Sequence, residues 1–72
     1  MQRLVLFYAL RDPVTYEVRY IGKTMETLKQ RLNRHIKYGK GYVSNWINKL
    51  IKNGDIPTIE EIGRCLEDEG WQ

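Results

Sequence analysis

Two apolar, aromatic-rich runs, Arg3 to Leu10 and Tyr16 to Gly22, stand either side of Arg11-Asp12-Pro13-Val14-Thr15, and this junction dictates the start of the fold. Pro13 presets φ for a turn, and the Asp12 carboxylate can accept a hydrogen bond from the backbone just after it. The flanking runs, rich in Leu, Val, Ile, Phe and Tyr, read as strands, so the first third of the chain is a β-hairpin. Side chains alternate along a strand, and directly opposed residues of an antiparallel pair share a face. Any register that pairs even with even numbers therefore puts Tyr8 and Tyr20 on one side of the sheet, and a slip of one residue separates them.

Beyond the hairpin the apolar period changes from two to that of a helix. Thr24 reads as an N-cap, Met25, Leu28, Leu32 and Ile36 recur at helical spacing, and Tyr38 and Gly39 close the segment. At ~100° per residue these four side chains span an arc of ~80°, with His35 about 65° and Arg31 about 105° from its centre. His35 and Arg31 thus flank the buried stripe, while Lys29, Arg34 and Lys37 point farther out, toward water or phosphate.

A second helix is expected from about Tyr42 to Asn53, begun by Ser44 or Gly41, with Val43, Trp46, Ile47, Leu50 and Ile51 as its buried stripe and Gly54 as its stop. Asp55 to Pro57 is a turn. Thr58 to Cys65 alternates enough to form a third strand, and Gly63 marks a bulge. Leu66 to Gln72 reads as the approach to another helix, with acidic residues ahead of Trp71 as a first helical turn prefers. The fold class is α+β: a three-stranded antiparallel sheet flanked by helices, in the order β-β-α-α-β with the start of a third helix.

A chain of 72 residues supports one small core, and its hydrophobic content of 42% supplies one. Cys65 is the only cysteine, so neither an internal disulfide nor a four-thiol metal site can form. The N-terminal apolar run falls far short of the ~20 residues a membrane span needs and lacks a small-residue cleavage site, which points to a cytoplasmic protein. Charge is divided unevenly along the chain. From Met1 to Gly54 eleven Lys or Arg face three acids, whereas from Asp55 to Gln72 only Arg64 faces six. A basic region this dense is an electrostatic footprint for phosphate, because neutralised phosphates release their condensed counterions.

Tyr8, Tyr20-Ile21-Gly22-Lys23-Thr24 and Arg31-Leu32-Asn33-Arg34-His35 bring two phenols, a lysine, arginines and a histidine within reach of one site. At these residues, and over nearly the whole chain including the helix that carries Trp46, the sequence resembles the GIY-YIG nuclease family, especially its small stand-alone phage and bacterial domains. It departs from the pattern at Leu6 and Phe7, where the family often has Gly and Ile. The resemblance implies a metal-dependent DNA endonuclease that hydrolyses phosphodiester bonds with one divalent cation, magnesium or similar, and a single domain over residues 1–72 that lacks its C-terminal helix.

The same resemblance assigns roles residue by residue. Tyr8 takes a proton from the attacking water, although a phenol of reference pKa ~10 needs a nearby cation to become an effective base, Lys23 being the nearest in sequence. Tyr20 helps to position the water or phosphate, and Gly22 permits close backbone approach. Arg31 can hold the scissile phosphate bidentately. His35, one turn on, relays a proton with Tyr8 or orients the phosphate; the sequence leaves both open. Lys23, Arg34 and Lys37 are candidates for the DNA backbone. The family's metal-binding glutamate is expected a few residues past Gln72, with Glu67 and Glu69 as substitutes. Two rival readings remain: a non-catalytic nucleic-acid-binding module, and an interaction domain whose acidic tail pairs with a basic body.

Overall fold

A computed structural model describes residues 2–68 as strands β1 (Gln2–Arg11) and β2 (Val18–Thr24), helices α1 (Leu28–Tyr38) and α2 (Gly41–Lys52), and strand β3 (Thr58–Asp68). The sheet is antiparallel throughout, in the order β2-β1-β3, so the first strand is central. This is the expected α+β architecture and element order. At the hairpin turn Asp12 Oδ1 accepts from the backbone N–H of Val14 at 2.8 Å and of Thr15 at 3.1 Å. Tyr16, expected to open the second strand, instead completes the turn with φ of 62°. Pairing of Tyr8 with Gly22 and of Leu10 with Tyr20 gives the even-with-even register.

The first helix begins later than its sequence suggests. Thr24 ends β2, opposite Leu6, is buried, and accepts from the N–H of Glu26. The true N-cap is Thr27, whose hydroxyl accepts from Gln30 N at 3.1 Å while the Gln30 side chain accepts from Thr27 N at 3.1 Å. Thr24 has Thr27 three residues on, too short to reach back, whereas Thr27 has Gln30, so only the later threonine can close a reciprocal capping box. Met25 consequently leaves the helical stripe and is 57% exposed.

The second helix starts at Gly41, with Lys40 rather than Ser44 as its flanking residue, and stops before Gly54, whose φ of 82° favours glycine. Val43, Trp46, Ile47 and Leu50 are buried, but Ile51 is exposed. At ~100° per residue Ile51 lies roughly 90° from the middle of that stripe, at its edge. The third strand runs on through Leu66 to Asp68, where an approach to a helix was expected; Leu66 pairs with Leu4 and Glu67 with Arg3. Its register shifts where Phe7 pairs with Gly63 and Tyr8 with Glu61, leaving Ile62 as the extra residue of a bulge beside Gly63. The expected features at Glu69 to Gln72, Trp71 among them, fall outside the described residues.

Both helices cover the face of the sheet that carries Tyr8, Leu10 and Tyr20. Tyr8, Leu10, Val43, Trp46, Ile47 and Leu50 form the core, with Tyr20, Leu28, Leu32, Ile36 and Ile59 packed around it. The Arg19 guanidinium lies 5.6 Å from the Trp46 ring centre, and the Tyr42 hydroxyl donates to Arg19 O at 3.2 Å, tying α2 to β2. These contacts hold α2 against the edge strand β2.

Candidate functional site

Tyr8 comes from the central strand, Tyr20 and Gly22 from the neighbouring one, and Arg31 and His35 from one face of α1, four residues apart. The Tyr8 hydroxyl is the point at which they meet. Arg31 Nε donates to it at 3.1 Å, and His35 Nε2 lies 2.7 Å from it. A guanidinium has no acceptor, so the phenol oxygen accepts from Arg31 and is free to give its own proton to His35 Nε2. That orientation assigns the imidazole proton to Nδ1, a nitrogen with no hydrogen-bond partner among the described residues.

The rings close around this junction. Tyr20 and His35 meet edge to face with centres 5.1 Å apart, as do Tyr8 and His35 at 5.8 Å, and Tyr8 and Tyr20 lie tilted at 6.2 Å. A Cβ at position 22 would stand 2.7 Å from the Tyr8 hydroxyl oxygen and 2.8 Å from the Tyr20 ring. The close approach that Gly22 permits is therefore made by the site's own tyrosines. Tyr8 is fully buried and lies beneath the surface of the site.

Burial raises the Tyr8 pKa above its ordinary value, and the hydrogen bond and charge of Arg31 oppose this without overcoming it. The cation next to Tyr8 is thus Arg31, and the hydrogen bond to Tyr8 raises the arginine's own pKa. His35 is lowered from 6.5, first by burial and then by the charge of Arg31. At neutral pH the junction holds a charged arginine, a protonated phenol and a neutral imidazole.

Above it opens a cleft of ≈ 420 Å³, walled by Tyr20, Arg31, Arg34, His35, Tyr38 and Lys40. Sequence reasoning missed Tyr38 and Lys40, whose neighbourhood, Tyr38-Gly39-Lys40-Gly41, reads as a break between helices. A lysine between two glycines at a helix junction was the available signal. Arg34 lines the cleft and forms an ion pair with Glu26 at 3.1 Å. The terminal nitrogens of Arg31 have no hydrogen bond or ion pair among the described residues.

Lys23 and Lys37 do not join this assembly. Alternation turns Lys23 away from Gly22 to the other side of β2, and it lines a separate cavity of ≈ 170 Å³ with Val5, Thr24, Met25 and Glu67. Lys37 is exposed on α1 and is not part of the cleft wall. No three His, Cys, Asp or Glu side chains gather among the described residues. Glu67, beside Lys23, is on the wrong side of the sheet for Arg31, and Glu69 is outside the described residues. The described residues therefore assemble no three-ligand cluster for the divalent cation that the resemblance implies. Asn45, Asn48, Lys49 and Lys52 line a separate open depression along α2.

Comparison of the chain with models of protein families, with curated proteins and with solved structures gave no match. No described helix is long and apolar enough to cross a membrane.

Proposed function

We propose that this chain is a DNA endonuclease domain of the GIY-YIG type, hydrolysing phosphodiester bonds in a metal-dependent reaction. The observation that carries the reading is the single phenol oxygen of Tyr8 bridging Arg31 and His35 under a cationic cleft. Both terminal nitrogens of Arg31, without a partner among the described residues, can hold a phosphate and offset charge that develops on its oxygens. Drawn onto the phosphate, Arg31 leaves the phenol oxygen open to a water.

Tyr8 then receives a proton from that water while its own proton passes to His35 Nε2. The water becomes the nucleophile, the tyrosine is neutral before and after, and the imidazole becomes imidazolium. Because Tyr8 never carries a full negative charge, its raised pKa does not block the step, and His35, held neutral, is the group able to accept the proton. Tyr20 fixes the imidazole ring edge to face.

A second reading, a nucleic-acid-binding module without catalysis, draws on the complete burial of Tyr8, which suits a residue that only positions Arg31. Plasmid nicking separates the two. The endonuclease nicks supercoiled DNA, and Tyr8→Phe slows it by about 10²-fold or more; binding that weakens steeply with salt, without any nicking by the wild type, establishes the module instead.

A further inference from the structure

Three tyrosines stand largely in water, Tyr16 at 65%, Tyr42 at 66% and Tyr38 at 75% exposure. Tyr16 completes the hairpin turn and Tyr42 is tied by its hydroxyl to Arg19 O. Tyr38 has neither a hydrogen bond nor a ring contact among the described residues, and it alone of the three lines the cleft. Leaving a large ring in water forgoes the stabilisation its burial would bring. Its neighbours on the cleft wall are cations: Arg34 is four residues back on the same face of α1, and Lys40 follows just after the helix.

An accessible aromatic face beside cations is the combination that holds single-stranded nucleic acid, since the ring stacks on a base and the cations follow its backbone. A stacked duplex hides the faces of its internal bases, so such a platform selects a nucleotide that is already splayed out. Tyr38 lies seven residues beyond Arg31, about 10 Å along the helix axis.

From this, resting on the DNA-acting reading above, we infer that the cleft is a subsite for an unpaired nucleotide, with its base stacked on Tyr38 and its phosphates met by Arg34 and Lys40. The substrate class is then single-stranded, flapped or frayed DNA in preference to continuous duplex.

The test is fluorescence anisotropy with a labelled single-stranded oligonucleotide and with the duplex of the same sequence, for the wild type, Tyr38→Ala and Tyr38→Phe. A 2-aminopurine base in the single strand reports stacking directly. The expected result is quenching of that base by the wild type, a loss of about 5- to 100-fold in single-strand affinity for Tyr38→Ala with duplex affinity unchanged, and near wild-type behaviour for Tyr38→Phe. Equal single-strand affinity for Tyr38→Ala and wild type, or equal losses on both DNAs, overturns the subsite while leaving the DNA-acting reading intact. Absence of binding to either DNA overturns both.

Discussion

The backbone of Gly22 and the phenol of Tyr8 compete for the same space, since a methyl group at position 22 would lie 2.7 Å from the Tyr8 hydroxyl oxygen and 2.9 Å from the carbon that bears it. A central-strand tyrosine can therefore reach the edge of the sheet only across a glycine. This contact, more than any backbone conformation, accounts for glycine at that position.

We expect Gly22→Ala to destabilise the fold by about 1–3 kcal/mol, the usual range for overpacking a filled site. At ~4–8 °C per kcal/mol for a domain of this size, thermal unfolding reads the change easily. Adding Tyr8→Phe should recover only part of the loss, because removing the hydroxyl leaves the ring carbon 2.9 Å from the new methyl. Full recovery, or no loss at the outset, would contradict the packing described.

His35 should titrate below 6.5, because burial and then the Arg31 charge disfavour the imidazolium. A depressed folded pKa contributes stability that is present above the unfolded value and is lost as pH falls through the folded one. Histidine resonances followed by NMR give the midpoint. Arg31→Gln should move it upward only part of the way to 6.5, since burial is the larger cause; a midpoint above 6.5 in the wild type would count against the site.

Tyr8 gives the opposite limb. With its folded pKa raised above 10.0, the tyrosine contributes stability that is whole below pH ~10 and is lost as pH rises through the folded value. Ultraviolet titration of the tyrosinates should show one of the five tyrosines ionising last, and Tyr8→Phe should remove that step. A last step that persists in Tyr8→Phe would assign it to another tyrosine.

The capping box at Thr27 yields a stability test independent of the site. Thr27→Ala should cost about 0.5–2 kcal/mol by unmaking the reciprocal bonds with Gln30. Chemical denaturation of this variant against the wild type provides the measurement. A change within ~0.2 kcal/mol would mean that the helix start described is wrong.

Much of this arrangement was legible from residue types and spacing. The period-two parity of Tyr8 and Tyr20 and the four-residue spacing of Arg31 and His35 are geometric consequences of strand and helix, and both appear as expected. What the sequence hid were choices between near-equal local signals. Thr24 and Thr27 both look like N-caps, and only the reach of the third residue on separates them. Lys23 is near Tyr8 along the chain, but strand alternation sends it to the other face. Tyr38 shares the helix face of Arg34 but reads first as the end of α1, and Lys40 stands in the link between the helices, where no period marks it.

On the proposed reading Arg31, bonded through Tyr8 to His35, serves phosphodiester hydrolysis. The most direct test of that reading is the nicking rate of supercoiled plasmid with magnesium, comparing the wild type with Arg31→Ala after circular dichroism has shown both folded. The expected result is measurable nicking by the wild type and a loss of about 10²-fold or more in the variant, the scale on which removing a donor to transition-state charge is felt. Equal rates for the two folded proteins, or no nicking by the wild type, would contradict it.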